Sequence, residues 1–206
     1  MLGKRPAALG PRSVGAVIAL SFFLAGCTPL DLALGGGATA GVAASEERGL
    51  DGSLSDVQIR TRISAEWAHK NSNTFIALGL SVYEGRALIT GVLKTQQDID
   101  DAIKIAWGVR GVREVINEIV IDPSGRTGTF ASDTFIVAQL KAQILVDKDV
   151  SAVNYSVDAV RGVVYLMGVA KSQDELDRVI GYARNIRYVQ KVVNHVLLKD
   201  DPRRKS

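Results

Sequence analysis

The octapeptide Gly85-Arg86-Ala87-Leu88-Ile89-Thr90-Gly91-Val92 decides the fold, because the chain contains it in two versions. The second is Gly162-Val163-Val164-Tyr165-Leu166-Met167-Gly168-Val169. Working outward from both, residues 56–121 align with 133–198 at a constant offset of 77, without a gap. Only 15 of the 66 aligned pairs are identical, so number alone does not establish a repeat. The positions do: Asp56/Asp133, Ile59/Ile136, Gly85/Gly162, Gly91/Gly168, Ala106/Ala183, Val112/Val189, Val115/Val192 and Asn117/Asn194 punctuate the chain or fill its core. Such a repeat means one structural unit used twice.

Each copy reads as helix, hairpin, helix, strand. A first helix is expected to open at Ser55 or Ser132, whose hydroxyls can cap free backbone N–H groups, with Gln58 completing a capping box in the first copy. Ile59, Ile63 and Trp67, and then Ile136, Leu140 and Ile144, recur at helical spacing. Two strands follow, 80–83 and 87–93, joined across Glu84-Gly85; their counterparts are 157–160 and 163–169, joined at Arg161-Gly162. Glycine suits so tight a turn because positive φ costs it little. Gly91 and Gly168, inside the second strand, indicate a bulge or a close backbone approach. Thr95 and Ser172 cap the second helix, whose buried stripes are Ile99, Ala102, Ile103 and Ala106, and Leu176, Val179, Ile180 and Ala183. Last strands cover 115–121 and 192–198. Sixty-odd residues is near the lower limit for an independent core, so the two units are expected to pack against each other, or at least to sit close.

The run Gly-x-Ala/Val-x-Ile/Leu-x-Gly-Val, a helix, and then Val-x-x-Val-x-Asn resembles the BON domain. The likeness covers nearly all of 56–198 and implies an α+β fold of two tandem αββαβ units. One departure is Tyr188, where the first copy has Gly111, and it is expected to alter the turn into the last strand.

Ahead of the repeat, Leu24-Ala25-Gly26-Cys27 resembles a bacterial lipobox. Lys4, Arg5 and Arg12 form a basic head, residues 14–24 an apolar run, and Ala25 and Gly26 a small-residue cleavage site, which is the layout of a secretory signal. A membrane span needs about 20 apolar residues, and Thr28, Pro29 and Asp31 end this run too soon. Residues 1–26 are thus expected to be removed and Cys27, the only cysteine, to be acylated. Several acyl chains, at roughly 0.8 kcal/mol per buried CH₂, hold a protein stably on a bilayer. Removing three basic residues from 25 leaves 22, against 22 acidic ones. The mature chain is then neutral overall and offers no basic footprint for nucleic acid. Residues 27–55, with Gly35-Gly36-Gly37, read as a flexible tether with room for some local helix, 122–132 as a linker and 199–206 as a solvated polar tail.

A lipobox followed by two such units is similar to the dual-BON outer-membrane lipoproteins of the DolP type. That likeness implies a lipid-anchored, non-enzymatic protein on the periplasmic face of the outer membrane, associated with phospholipid and supporting envelope integrity. Thr28, rather than Asp, after the cysteine agrees with outer-membrane sorting as enterobacteria practise it.

The residues give catalysis little to work with. His69 and His195 do not recur between copies, where Val146 and Glu118 stand instead, and both read as structural. No zinc-like spacing of Cys and His is present. Asp98, Asp100 and Asp101 suit a helix start. No cofactor is implied. The informative asymmetry is Asp133-Thr134-Phe135-Ile136 against Asp56-Val57-Gln58-Ile59. With Ile136 inward, Phe135 projects sideways and can mark an interaction site. In the lipoproteins this resembles, an aromatic in that setting belongs to the phospholipid-binding helix of the second unit. Thr134, Phe135, Val137, Ala138, Lys141 and Leu145 are the candidates for contact with anionic phospholipid, and packing of Phe135 against the first unit is the competing expectation. Lys141 is the one cation the helix offers near them. The alternative function is a periplasmic adaptor that docks envelope proteins through the same surface.

Overall fold

A computed structural model describes residue 47, residues 49–124 and residues 130–204. The signal-like leader, Cys27 and the tether as far as residue 46 lie outside the described residues, as do 125–129 of the linker and 205–206 of the tail.

Both copies build the same unit. In the first, α1 (Gly49–Phe75) is followed by β1 (Leu78–Tyr83), β2 (Arg86–Leu93), α2 (Gln96–Gly108) and β3 (Glu114–Ile121). In the second, α3 (Phe130–Val146) is followed by β4 (Tyr155–Val160), β5 (Val163–Ala170), α4 (Gln173–Asn185) and β6 (Lys191–Leu198). Each sheet has its second strand in the middle, antiparallel to the first and parallel to the third. The parallel pairing requires a crossover, and α2 and α4 supply it. Register repeats as well: Arg86 pairs with Glu114 as Val163 pairs with Lys191.

The turn Glu84-Gly85 has φ of 53° and 73°, and Arg161-Gly162 has 54° and 76°. Two consecutive left-handed residues give the turn whose twist matches the flanking strands. They also leave two backbone N–H groups outside the ladder. In the first unit the Asp56 carboxylate accepts both, from Glu84 at 2.7 Å and Gly85 at 2.8 Å. In the second Asp133 accepts from Arg161 at 2.9 Å and Gly162 at 2.8 Å. This explains why Asp opens both copies. The strand glycines mark close approach: a Cβ on Gly168 would collide with the Asn154 carbonyl oxygen, and one on Gly91 would come within 2.6 Å of that of Ala77.

Thr95 and Ser172 cap α2 and α4, accepting from the backbone N–H groups of Asp98 and Glu175. Ser55 and Ser132 are not caps. The first helices start earlier, at Gly49 and Phe130, so both serines and Gln58 lie within helix. Gly49 has φ of 70°, and Asp51 then faces the positive end of the helix dipole. The helix therefore enters the stretch expected to be tether. Near its other end Asn71 leaves helical geometry, and its side-chain oxygen accepts from the Thr74 N–H at 3.2 Å.

Alternation along the central strands sorts the cores. Val164, Leu166 and Ala170 face α3 and α4, while Tyr165, Met167 and Val169 face the other way. The latter join Tyr83, Leu88, Ile116 and Val193 in one cluster built from both units. The two sheets thus pack back to back, with helices outside. Polar cross-links fix the seam. The Thr90 hydroxyl donates to Asp158, and the buried Arg86 donates to the His195 carbonyl at 3.0 Å and to Glu114. His195 Nε2 lies 2.9 Å from Glu118 Oε1. Glu118 and His195 occupy the same position of the repeat, so equivalent residues meet across the seam.

The chain ends are also tied down. Arg204, expected on a solvated tail, is largely buried; its guanidinium grips Glu84 at 2.6 Å and donates to the Glu47 carbonyl at 3.2 Å. The Glu47 N–H donates to the side-chain oxygen of fully buried Asn154 at 3.0 Å. Where the linker begins, Asp122 pairs with Arg161.

Two predictions follow from these contacts. Asp133→Asn sets an amide donor against a backbone donor and is expected to cost about 2 kcal/mol in urea denaturation. The Asp122 carboxyl is held down to about 2 by the Ser124 hydroxyl, the Arg161 guanidinium and the Ser124 N–H. Its folded pKa lies below the unfolded value of about 3.9, so its stabilisation is complete above that pH and is lost as pH falls towards 2. Asp122→Asn is expected to flatten the acid limb of a thermal-melt profile across that window.

Candidate functional site

The candidates lie on α3, whose inner face is fixed by fully buried Ile136, Leu140 and Ile144. At 100° per residue, Thr134, Ala138, Lys141 and Leu145 form a stripe on one flank, with Val137 beside it. Phe135, Ala142 and Val146 lie about 100° further round. Thr134, Phe135, Ala138, Lys141 and Leu145 are all exposed on the outward half of the helix, and Val137 is half-buried.

Thr134, Val137 and Ala138 line a cleft of about 630 Å³ between the units, facing Ile76, Leu78 and Val92. Lys141 is exposed on the same flank, with no carboxylate within ion-pair distance among the described residues. Phe135 takes no part in the cleft. It is 46% exposed, and its ring meets Tyr188 of its own unit edge-on, with centroids 6.2 Å apart and planes at 78°. Its aromatic neighbour therefore lies in the same unit, contrary to the expectation that it packs against the first.

The outward side of the helix is mostly apolar: Ser132, Gln139 and Gln143 are half-buried, and Thr134 and Lys141 are its exposed polar side chains. Asp133 and Lys141 are its only formally charged residues, and Asp133 is buried on the hairpin turn. Yet Phe130 is 77% exposed, Leu145 73% and Val146 79%. In α1 the positions of Phe135, Val137 and Ala138 hold Gln58, Arg60 and Thr61, as water-facing positions usually do. A helix whose outward face is this poor in polar residues is normally covered by protein or lipid. Here the same scaffold presents one helix suited to water and one that is not.

The loop between α4 and β6 adds what the sequence reading missed. Tyr188 has φ of 75° where Gly111 has 100°, so the turn is kept and the tyrosine adopts the geometry of glycine. For a side-chain-bearing residue this costs about 1–2 kcal/mol. The Arg187 guanidinium carbon lies 4.5 Å from the Tyr188 ring centroid. Lys141 is thus not the only cation near the candidates. Tyr188 stood out in the sequence as a departure from the repeat, but its approach to Phe135 across 53 residues is set by tertiary packing.

Polar groups elsewhere carry structural duties. Glu175 accepts from Ser151 and Lys171 backbone N–H groups at 2.9 and 2.8 Å. Burial, and after it the Glu175 charge, pushes the Tyr155 phenol up. Gln96 and Gln97 donate to Asp100 and Asp101. Among the described residues no cluster of His, Cys, Asp and Glu is arranged to hold a metal, and no helix is long and apolar enough to cross a membrane.

The model of the BON domain matches this chain twice, over residues 55–123 and 132–200. The chain belongs to the BON-domain family. It is an α+β protein of the dual-BON, DolP type. Outer membrane lipoprotein DolP of Haemophilus influenzae is 26% identical over 186 residues, covering 88% of this chain and 93% of that protein. Osmotically-inducible protein Y of Escherichia coli is 25% identical over 148 residues, 71% of this chain and 74% of its own. A protein of Anaplasma centrale, named for its place in the gshII 5′ region, is 40% identical over 126 residues, covering 61% of this chain and 83% of that protein. With these relatives, the two BON units mark a protein of the cell envelope. The exposed apolar helix opens the second of them.

Proposed function

We propose that this chain is a non-enzymatic lipoprotein of the outer membrane, anchored on the periplasmic face through fatty acyl groups on Cys27. Its second BON unit binds anionic phospholipid through α3 and thereby supports outer-membrane integrity. In this reading residues 1–26 are removed and the tether runs from Cys27 only to the start of α1 at Gly49, shorter than the 27–55 expected from composition. The observation that carries the reading is the mostly apolar exposed side of α3, where α1 on the same scaffold is polar. The relative named as an outer membrane lipoprotein and the lipobox ahead of the repeat support the location.

The energetics are adequate. Complete burial of a Phe, Leu or Val side chain is worth about 1.5–3 kcal/mol, and α3 offers Phe130, Phe135, Leu145 and Val146 in part. An acyl anchor makes docking intramolecular, and a short flexible tether gives effective concentrations of order millimolar. Weak intrinsic affinity for the bilayer is then sufficient.

Two measurements test this. In the mature chain carrying Cys27→Ser, Phe135→Glu is expected to lower binding to phosphatidylglycerol vesicles about tenfold or more, with circular dichroism unchanged. Equal binding by a folded variant rejects α3 as the contact. A photo-crosslinker at position 135 that captures one defined envelope protein in cells, rather than lipid, favours the adaptor instead. Separately, intact mass of the cellular protein is expected to show loss of residues 1–26 and a gain of acyl groups at Cys27. An unmodified thiol in a soluble fraction removes the anchor.

A further inference from the structure

The loop that carries Tyr188 is built at a cost the fold does not require. The corresponding turn of the first BON unit uses Gly111, with φ of 100°, and makes the same connection. In both, the residue after the turn donates back to the hairpin glycine: Arg113 to Gly85 and Gln190 to Gly162, each at 2.8 Å. Tyrosine at 188 therefore adds nothing to the turn and strains it. A strained residue held in place by its surroundings points to use elsewhere.

Its ring is not spent on the core, being 50% exposed. One edge meets Phe135, and Arg187 lies over the face. The electrostatics around it are one-sided. Residues 178–199 contain Arg178, Arg184, Arg187, Lys191 and Lys199 and no Asp or Glu. Arg178 is engaged with Asp147 and Asp149. Among the described residues no carboxylate lies within ion-pair distance of Arg184, Arg187 or Lys191. In the first unit the positions of Arg184 and Lys191 hold Trp107 and Glu114, while Arg187 corresponds to Arg110, which there adjoins Gly111 and not a tyrosine.

We infer that Arg187 and Tyr188 form the headgroup-binding half of the membrane face, and that their ligand is the phosphodiester of an anionic phospholipid within a bilayer. This rests on the reading of α3 as the lipid-contacting helix and extends it to a second segment. The chemistry divides by depth. Phe135 enters the acyl boundary, Tyr188 sits at the interface where amphipathic rings are favoured, and the guanidinium donates to phosphate oxygens in a geometry a planar fork matches. Stacking on Tyr188 orients Arg187 and leaves its in-plane N–H groups available. Arg184 and Lys191, both exposed, add positive charge to the same segment of chain.

The test uses the mature chain with Cys27→Ser on vesicles of phosphatidylcholine alone or mixed with phosphatidylglycerol. Arg187→Gln is expected to lower binding to the anionic vesicles roughly fivefold, to reduce its salt dependence and to leave binding to phosphatidylcholine unchanged. Tyr188→Gly restores the residue the turn suits, so its melting temperature is expected to be unchanged or raised while binding to both vesicles falls. A binding loss in a protein that is no less stable cannot come from misfolding. If Phe135→Glu abolishes binding but neither loop variant alters it, α3 alone is the contact and the inference is overturned. If none of the three alters binding, the reading of α3 as the lipid-contacting helix itself fails and takes the inference with it.

Discussion

A carboxylate that reaches from a helix to a hairpin turn organises each half of this protein. The turn needs two consecutive left-handed residues, which leaves two adjacent backbone donors with no strand to bond to. Asp56 and Asp133 accept both pairs. Three residues on, Ile59 and Ile136 begin the buried stripe, so the bond that completes the turn also sets the rotation of the helix over the sheet. One side chain therefore couples a local conformation to the packing of a whole layer. Removing it leaves buried donors unsatisfied and frees the helix to turn about its axis.

The second constraint is the alternation of the central strands. Because successive side chains point to opposite faces, β5 can be apolar throughout and serve two cores, one under its helices and one against the other unit. The seam is polar at its margins, where Thr90 meets Asp158 and His195 meets Glu118. With the sheet backs consumed in this way, the helices form the outward layers. The two copies then diverge where they are free to do so. The outer helix of the first keeps charged residues, and that of the second loses nearly all of them.

Much of this was legible in the sequence because local rules and the repeat agreed. Glycines in the turns, Thr95 and Ser172 as caps, and the inward stripes of all four helices are short-range consequences of residue type. Ser55 and Ser132 were misread as caps, since a capping residue is only a permitted start and the helices continue upstream of both. The role of Asp56 and Asp133 was hidden because their partners lie 28 and 29 residues away. Phe135 was legible as a side chain pointing out, but not its pairing with Tyr188 and Arg187, which arrive from a different element. The charged tail gave no sign that Arg204 returns to Glu84, because an ion pair 120 residues apart leaves no periodic trace.

Residue 47 occupies an unusual mechanical position. Its N–H is bonded to Asn154, its carbonyl to Arg204, and Arg204 in turn to Glu84. Load arriving along the backbone from upstream meets this junction before it reaches the first helix. It is shared at once between the hairpin of one module and the interior of the other, and a tug from that side stresses a cross-braced node instead of unzipping a terminal coil turn by turn.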